Sequence, residues 1–578
     1  MSLHLPHRER AAAWLEEDPD PVTAEELRKL IEAADRGDDA ALRDIDERFE
    51  GALEFGTAGL RGILGAGPQR MNRVLVRKVT AGLAAYLLAN VPEAKQRGVL
   101  IGHDARRNSR VFSEDTARVL GGVGIKVFLA HRPWPTPTTA WAVVEKRACA
   151  GVMVTASHNP PAYNGYKVYW GNGAQIIPPH DTGIAAAIAK IGRSDELPMP
   201  ELDELRRNGL LIDLDESLHD EYLRKVVELR ANPDIDGRAL VIAYTPLHGV
   251  GAASVEPALR LAGFPQVHSE PSQREPDPEF PTVAFPNPEE KGAMDRVLAL
   301  AAEKSADLVL ANDPDADRLC VALPGFGGGA GYTPLTGDQV GVLLADYLLT
   351  VGPKDKRMVA TTIVSSQLLG FLAQQAGADY RETLTGFKWI GNAAMDYERE
   401  HHGRFVMGYE EALGYSVGPL VRDKDGVSAA VLFAELTAWN RARGKSVHEH
   451  LDEIYRKVGL FVTEQVSLTK PGSEGLAEIR AAMKRFRRAP PSSLAGHAIE
   501  QVVDLAKGEG GLPPSDVLVF KLAGGRRVIM RPSGTEPKLK SYYEVRVEVG
   551  GDEPIATARA RGLAELGQLR DAHQSLLA

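Results

Sequence analysis

Short apolar runs alternate along this chain with longer segments of helical period. Val99-Leu100-Ile101, Val127-Phe128-Leu129, Gly151 to Val154, Leu240 to Ala243, Leu308 to Leu310 and Phe405 to Met407 predict buried strands. Helical patterns lie between them, as over 181–191 and 337–348. Near the start, Thr23-x-x-Glu26 reads as a capping box, which predicts a helix from Thr23 through Leu27, Leu30 and Ile31. Strands alternating with helices argue for α/β layers with mainly parallel sheets. Three of the apolar runs lead straight into polar loops, at 155–161, 312–318 and 408–415. Ligands of α/β sheets bind beyond the carboxyl ends of strands. The tail differs. Proline and glycine cluster at 489–493 and 508–514, and Val517 to Phe520 and Val528 to Met530 predict paired strands about Gly524-Gly525. Tyr542 to Val549 predicts another strand, and a helix closes the chain. The expected fold is three related α/β mixed-sheet domains plus a smaller C-terminal α+β domain around a central cleft. The expected limits are 1–222, 223–335, 336–462 and 463–578.

Composition narrows the function. The chain has 578 residues, too many for one core, with 44% hydrophobic and 25% charged residues. A net charge of −10 disfavours a nucleic-acid binder but leaves room for a local basic cleft that takes an anionic small molecule. Two cysteines, Cys149 and Cys320, lie far apart in apolar runs, which excludes a disulfide framework or a zinc spacing. With neither a signal-peptide core nor an apolar run of membrane length, the expected location is the cytoplasm, away from membranes.

The chemistry concentrates in a few loops. Asp313, Asp315 and Asp317 alternate in Asn312-Asp313-Pro314-Asp315-Ala316-Asp317-Arg318. Three carboxylates this close repel one another unless a cation sits between them, and a hard divalent ion with oxygen ligands suits them. An EF-hand is excluded, because Arg318 takes its glycine position and Pro324 its glutamate position. Ser157 lies in Thr155-Ala156-Ser157-His158-Asn159-Pro160-Pro161, with Lys167 ten positions on. Adjacent side chains of an extended segment point to opposite sides, so His158 is not assured as the partner of Ser157. No G-x-S-x-G elbow is present, which argues against an α/β-hydrolase. A serine that carries phosphate beside a divalent ion needs less activation. Arg531-Pro532-Ser533-Gly534-Thr535-Glu536-Pro537-Lys538 offers a guanidinium, hydroxyls and a free backbone, either as a phosphate grip or as a plain hairpin turn. Glu410 and Glu411 could accept sugar hydroxyls; being adjacent, they are badly placed to flank a scissile bond. Thr385-Gly386-Phe387-Lys388 and Arg422-Asp423-Lys424-Asp425 add cations, or form surface salt bridges. Arg61, among three glycines in 55–62, reads as functional, and Asp104 with Arg107 as an ion-paired loop.

In combination and in order, T-A-S-H-N-P-P, N-D-P-D-A-D-R, G-Y-E-E-A-L-G-Y and R-P-S-G-T-E-P strongly resemble the α-D-phosphohexomutases, the phosphoglucomutases and phosphomannomutases. The resemblance runs from about Phe55 to Glu544. It implies four domains around a cleft, Ser157 as phosphoserine, and Mg²⁺ held by Asp313, Asp315, Asp317 and the Ser157 phosphate. It implies that Arg61, His158 and Lys167 surround the reacting phosphoryl group. Arg318, Thr385, Gly386, Lys388, Glu410, Ala412 and Lys424 would meet the substrate, and Arg531, Ser533, Gly534 and Thr535 the distal phosphate. A hexose 1-phosphate and 6-phosphate would interconvert through a bisphosphate, with glucose ahead of mannose. A sugar 1,6-bisphosphate would be the activator, and the protein would be a monomer or dimer. One departure stands out. Many relatives carry a serine where this chain has Ala412, which looks more like the branch of phosphopentomutases and sugar-1,6-bisphosphate synthases. Outside the mutases, the competing expectations are an Mg-dependent sugar phosphatase and a silent sugar-phosphate binder.

Overall fold

Six strands form the first sheet: β1 (Leu60–Ile63), β2 (Val99–His103), β3 (Val127–Ala130), β4 (Ala150–Val154), β5 (Tyr163–Trp170) and β6 (Leu211–Leu214). Their order is β1-β5-β4-β2-β3-β6. Strands β2, β3, β4 and β6 run parallel, and β5 and β1 add an antiparallel edge. Every residue of β2 and β4 is buried, as expected of parallel strands covered on both faces. The helix Thr136–Glu145 packs on both strands. It comes so close that a Cβ at Gly102 of β2 would lie 2.1 Å from Thr139 Oγ1. The second sheet repeats the plan with β7 (Ile242–Thr245), β8 (Val267–Ser269), β9 (Leu308–Ala311), β10 (Cys320–Pro324) and β11 (Tyr332–Pro334), in the order β11-β10-β9-β7-β8. Here too a parallel core, β8-β7-β9, turns into an antiparallel hairpin, β9-β10. The reversal loops of β4–β5 and β9–β10 are the serine loop and the aspartate loop.

This structure is a computed structural model that describes residues 5–56, 59–325, 331–470, 472–533 and 538–577. It divides into two compact units. The first holds both sheets above and the segment 414–435. It also holds three N-terminal helices, Leu5–Glu17, Pro21–Asp35 and Asp39–Phe49, which have a small core of their own around Ala11, Leu27, Ile45 and Phe49.

The second unit contains a parallel sheet in which β12 (Arg357–Thr362) pairs with β13 (Asp379–Thr383) and β14 (Arg404–Glu410). The chain then re-enters the first unit, where β15 (Gly414–Val417) begins and Arg318 bridges Gly414. The rest of the second unit is an antiparallel sheet of β16 (Leu460–Thr469), β17 (Ser493–Leu494), β18 (His497–Asp504), β19 (Leu518–Leu522), β20 (Arg526–Pro532) and β21 (Lys538–Val547). The helix Ile555–Leu577 packs on β16 and β21. Three α/β sheets and an all-antiparallel C-terminal sheet with helices match the expected fold class.

Some expected boundaries move, for local reasons. The helix expected at Thr23 starts at Pro21, and its N-cap is Asp20, whose carboxylate accepts the Val22 N–H. Thr23 instead donates to Asp18 Oδ2 at 2.7 Å. The strand expected at Leu240 starts at Ile242, because Asp307 captures Val241: its carboxylate accepts the Val241 N–H at 2.9 Å. The last strand starts at Lys538, four residues early, because it pairs with β16 along its whole length.

Two predictions follow from burial. Arg527 is a buried strut of the second unit, donating to the carbonyls of Ile363 and Ser365 at 2.9 and 2.6 Å and pairing with buried Glu544 at 3.2 Å. Arg527→Met leaves Glu544 buried without its cation, and urea unfolding is expected to register a loss of about 3–5 kcal/mol. Cys149 and Cys320 are free and buried, and burial pushes their thiols up to about 11 and about 12. Native protein at pH 8 therefore holds both as thiols, and mass spectrometry after iodoacetamide should find neither alkylated until the chain is unfolded.

Candidate active site

The serine loop is held from behind by one arginine. Arg106 Nη2 donates to the Ser157 carbonyl at 2.6 Å, and its Nη1 donates to the Pro160 carbonyl at 2.9 Å. The Thr155 hydroxyl accepts the Ser157 N–H at 2.9 Å. Ser157 itself takes a left-handed backbone, φ +51°. This corrects the expectation drawn from an extended segment. The turn swings both side chains to one side, and Ser157 Oγ lies 3.2 Å from His158 Nδ1. The Ser157 hydroxyl also donates to Asp313 Oδ2 at 2.8 Å. A hydroxyl has one hydrogen, so with that hydrogen on Asp313 the imidazole Nδ1–H is the donor to Oγ.

Strand pairing brings two further cations to this loop. In the β4–β5 hairpin Lys167 lies opposite Met153, so ten residues of sequence fold back on themselves. In β1, Arg61 pairs with Gly165 and donates to Asn159 Oδ1 at 3.1 Å. The approach depends on Gly59, at φ +75°, where a Cβ would lie 1.9 Å from the Tyr166 carbonyl oxygen.

Asp313, Asp315 and Asp317 are buried, and one oxygen of each lies within 4.8 Å of the others. At that separation and an effective dielectric of about 20, each charged pair repels by about 3.5 kcal/mol. The protein satisfies both oxygens of Asp313 but only one each of Asp315 and Asp317. Asp315 Oδ2 accepts from Thr136 Oγ1 at 2.7 Å and Lys167 Nζ at 2.9 Å. Asp317 Oδ2 accepts from Lys167 at 3.1 Å and faces Lys424 Nζ at 3.2 Å. Asp313 Oδ1 accepts the Arg318 N–H at 3.1 Å. Asp315 Oδ1 and Asp317 Oδ1 are buried without a hydrogen-bond donor. Burial, with Asp315 and Asp317 adding, pushes Asp313 well above the usual carboxylate range. Burial also works against ionised Asp315, but Lys167 and Thr136 more than offset it and hold it low. A set of carboxylates with two orphaned oxygens, beside a serine hydroxyl, fits a divalent cation by its donor chemistry.

The surrounding field is cationic. Burial, then Arg318 and Arg61, hold His158 well below the usual imidazole range, so it is neutral. Burial disfavours charged Lys167, yet Asp315 and Asp317 outweigh it and raise its pKa. Lys424 is steered by Asp423, which is fully buried and accepts from Tyr169 and Gln175 at 2.8 Å each. The segment 422–425 is thus no surface salt-bridge cluster. Arg107 pairs with Glu279 rather than Asp104, whose carboxylate instead accepts from Arg106 N and Ser109 Oγ.

The structure therefore gathers Arg61, Ser157, His158, Lys167, Asp313, Asp315, Asp317, Arg318 and Lys424 within the first unit. The remaining candidates lie in the second. Glu410, at the end of β14, accepts the Gly386 N–H at 2.6 Å; Thr385 and Lys388 flank that loop. Glu411 accepts from Ser365 Oγ at 2.9 Å. Ala412 is half-buried. Arg531 is the last residue but one of β20, and the Ser533 N–H donates to the Lys538 carbonyl at 2.8 Å, while Gly534 and Thr535 lie outside the described residues. Tyr542 stands in the field of Glu411, Arg531 and Glu410, and burial, with Glu411 adding, raises its phenol. Sequence reasoning missed Arg106, Thr136, Asp423 and Tyr542. Arg106 carried a signal, lying beside Arg107 in a charged loop after a strand, and so did Asp423, beside Lys424 in the charged segment 422–425.

Comparison with known proteins agrees with this geometry. Models of phosphoglucomutase/phosphomannomutase α/β/α domains I, II and III match residues 52–195, 220–327 and 336–458, and the model of the family's C-terminal domain matches 472–553. A probable phosphomannomutase of Haemophilus influenzae is 42% identical over 480 residues, 82% of this chain and 93% of that one. A probable phosphoribomutase of Schizosaccharomyces pombe is 40% identical over 558 residues, 92% of each chain. The solved structure of parafusin, a phosphoglucomutase from Paramecium, in its open form, superposes with a TM-score of 0.68 over 91% of this chain and 96% of that one, at 18% identity. A fold and site of this kind define a phosphomutase, an isomerase that moves phosphate within a small sugar phosphate. The chain belongs to the phosphoglucomutase/phosphomannomutase family.

The orphaned carboxylate oxygens give a direct test. Mg²⁺ at about a hundred times its Kd is expected to stabilise the fold by about 2.7 kcal/mol. The thermal midpoint should rise accordingly, fall back with EDTA, and hardly respond in Asp315→Asn.

Proposed function

We propose that this chain interconverts hexose 1-phosphate and hexose 6-phosphate, with glucose phosphate ahead of mannose phosphate, through a phosphoserine at Ser157. The observation that carries this reading is the Ser157 hydroxyl set 2.8 Å from Asp313 inside the buried aspartate cluster. A nucleophile for acyl transfer has no use for three carboxylates, whereas a phosphoserine beside a divalent cation does. Asp313, Asp315 and Asp317, with the Ser157 phosphate, would hold a divalent cation, which when bound would supply the positive charge that offsets charge developing in phosphoryl transfer.

The chain's own groups do the rest. Ser157 gives its phosphoryl group to the free hydroxyl of the sugar monophosphate. His158, held neutral, borders Oγ and donates its Nδ1–H to it; Arg61 and Lys167 supply fixed positive charge beside it. Arg318 and Lys424 extend that charge toward the substrate. Thr385, Gly386, Lys388, Glu410 and Ala412 meet the sugar. Arg531 and Ser533, with Gly534 and Thr535, grip the phosphate that does not react. The bisphosphate turns end for end, and Ser157 recovers the other phosphoryl group, so the sum is isomerisation. A sugar 1,6-bisphosphate re-arms an enzyme that has lost its phosphate. Two buried free thiols accord with a reducing cytoplasm.

A second reading is a phosphopentomutase. Ala412 lacks the hydroxyl that a hexose-reading serine would offer, and the relative named a phosphoribomutase spans 92% of this chain.

Intact mass of the purified protein should reveal a phosphorylated fraction that is absent in Ser157→Ala. Mutase turnover of that variant is expected to fall by on the order of 10³-fold or more. An unmodified wild type whose alanine variant keeps full activity would sink the reading. Comparing kcat/KM for glucose, mannose and ribose 1-phosphates separates the two substrate classes: ribose ahead of glucose overturns the hexose assignment and leaves the phosphoserine intact.

A further inference from the structure

Thr136 heads the helix Thr136–Glu145, in Pro133-Trp134-Pro135-Thr136-Pro137. Prolines on both sides fix the backbone dihedral φ near −65° at 133, 135 and 137. Trp134 is fully buried, and its backbone N–H donates to the His103 carbonyl at 2.9 Å. Thr136 is therefore delivered by a stiff, anchored segment and is itself fully buried. It holds Asp315 twice: its hydroxyl donates to Asp315 Oδ2 at 2.7 Å, and its backbone N–H donates to the Asp315 carbonyl at 2.9 Å. Asp315 Oδ2 is thereby occupied on its outer side, and Oδ1 is the oxygen left buried without a donor.

The same contact spans two matched domains, since Thr136 lies within 52–195 and Asp315 within 220–327. Ser157–Asp313 and Lys167–Asp315 span them too. Those groups sit at the transfer itself, and Ser157 exchanges its hydroxyl hydrogen for phosphate once per cycle. A threonine hydroxyl at 136 takes no part in that exchange.

We propose that Thr136 is a positioning residue for the cation: it turns Asp315 so that Oδ1 faces the acidic pocket, and it keeps the aspartate loop in register with the serine loop while Ser157 gains and loses phosphate. The proposal rests on the reading of the three aspartates as a metal site. Loss of an outer contact to a metal-ligating carboxylate typically weakens metal binding 10–100-fold.

The test is Mn²⁺ binding to the full chain, freed of phosphate, by calorimetry and by electron paramagnetic resonance. Thr136→Val keeps the shape and removes the donor; its Kd for Mn²⁺ is expected to rise roughly 10–100-fold, with kcat recovered at saturating Mg²⁺ and KM for sugar phosphate unmoved. Thr136→Ser keeps the donor and should bind within about threefold of wild type. A valine variant that binds Mn²⁺ as wild type does, or a serine variant as weak as valine, overturns the proposal. Should Thr136→Val not fold, Thr136→Ala against Thr136→Ser makes the same comparison. A wild type that binds no Mn²⁺, and so matches Asp315→Asn, sinks the metal reading and this proposal with it. That result is distinct from a wild type that binds and a valine variant that binds equally.

Discussion

Three carboxylates packed within 4.8 Å of one another, away from water, set the terms for everything around them. Burying one unpaired carboxylate costs several kcal/mol, and three cannot stay ionised without compensation. The protein answers from every side. Lys167 comes from a strand hairpin, Lys424 from the segment that re-enters the first unit, and Arg318 from the loop itself. The hydroxyls of Ser157 and Thr136 come from the neighbouring sheet. Each satisfies an outer oxygen, and none closes the inner space between Asp315 and Asp317. Compensation is strong enough to hold the loop and incomplete at Asp315 Oδ1 and Asp317 Oδ1. Other buried groups, such as Asp423 under Lys424 and Arg106 under Ser157, are one step removed and serve the same arrangement.

The second unit divides its labour in a comparable way. Glu410 and Glu411 are identical in type and adjacent in sequence, yet neighbouring residues at a strand end face opposite ways. Glu411 turns to Ser365 and holds the loop after β12, whereas Glu410 turns to the Gly386 backbone. Tyr542 stands by both carboxylates and by Arg531. The loop of Glu410 and Glu411 and the loop that follows Arg531 thus share a neighbour within one unit.

Much of this was legible in the sequence because it is local. An apolar run that gives way to polar residues marks a strand end: Ser157 and Asp313 lie just beyond β4 and β9, and Glu410 is the last residue of β14, which runs into the segment expected as loop. What failed was local too, but finer. Asp20 outcompeted Thr23 as N-cap because Pro21 already fixes the first helical residue. Ser157 and His158 meet because one backbone dihedral is positive, which no periodicity encodes. The residues that went unseen act at a distance. Thr136 and Asp315 are 179 positions apart, and Tyr169 and Asp423 are 254 apart. Such pairs exist only once the sheets are built, and their members look like ordinary threonines, tyrosines and aspartates until then.

The three N-terminal helices lie before the first matched domain, which begins at residue 52. They are nonetheless tied into the ground on which Arg61 stands. Arg48, at the end of the third helix, donates to the Ala66 carbonyl at 3.3 Å, and its own carbonyl accepts the Gln69 N–H at 3.1 Å. Glu17, at the end of the first, accepts the Ser194 N–H at 2.6 Å and pairs with Lys78. The turn after β1 is thus cradled by residues that the family's domain pattern does not include. In evolutionary terms, the border of homology and the border of mechanical support do not coincide here. A chain trimmed to the first would keep every candidate site residue and lose the buttress beneath one of them.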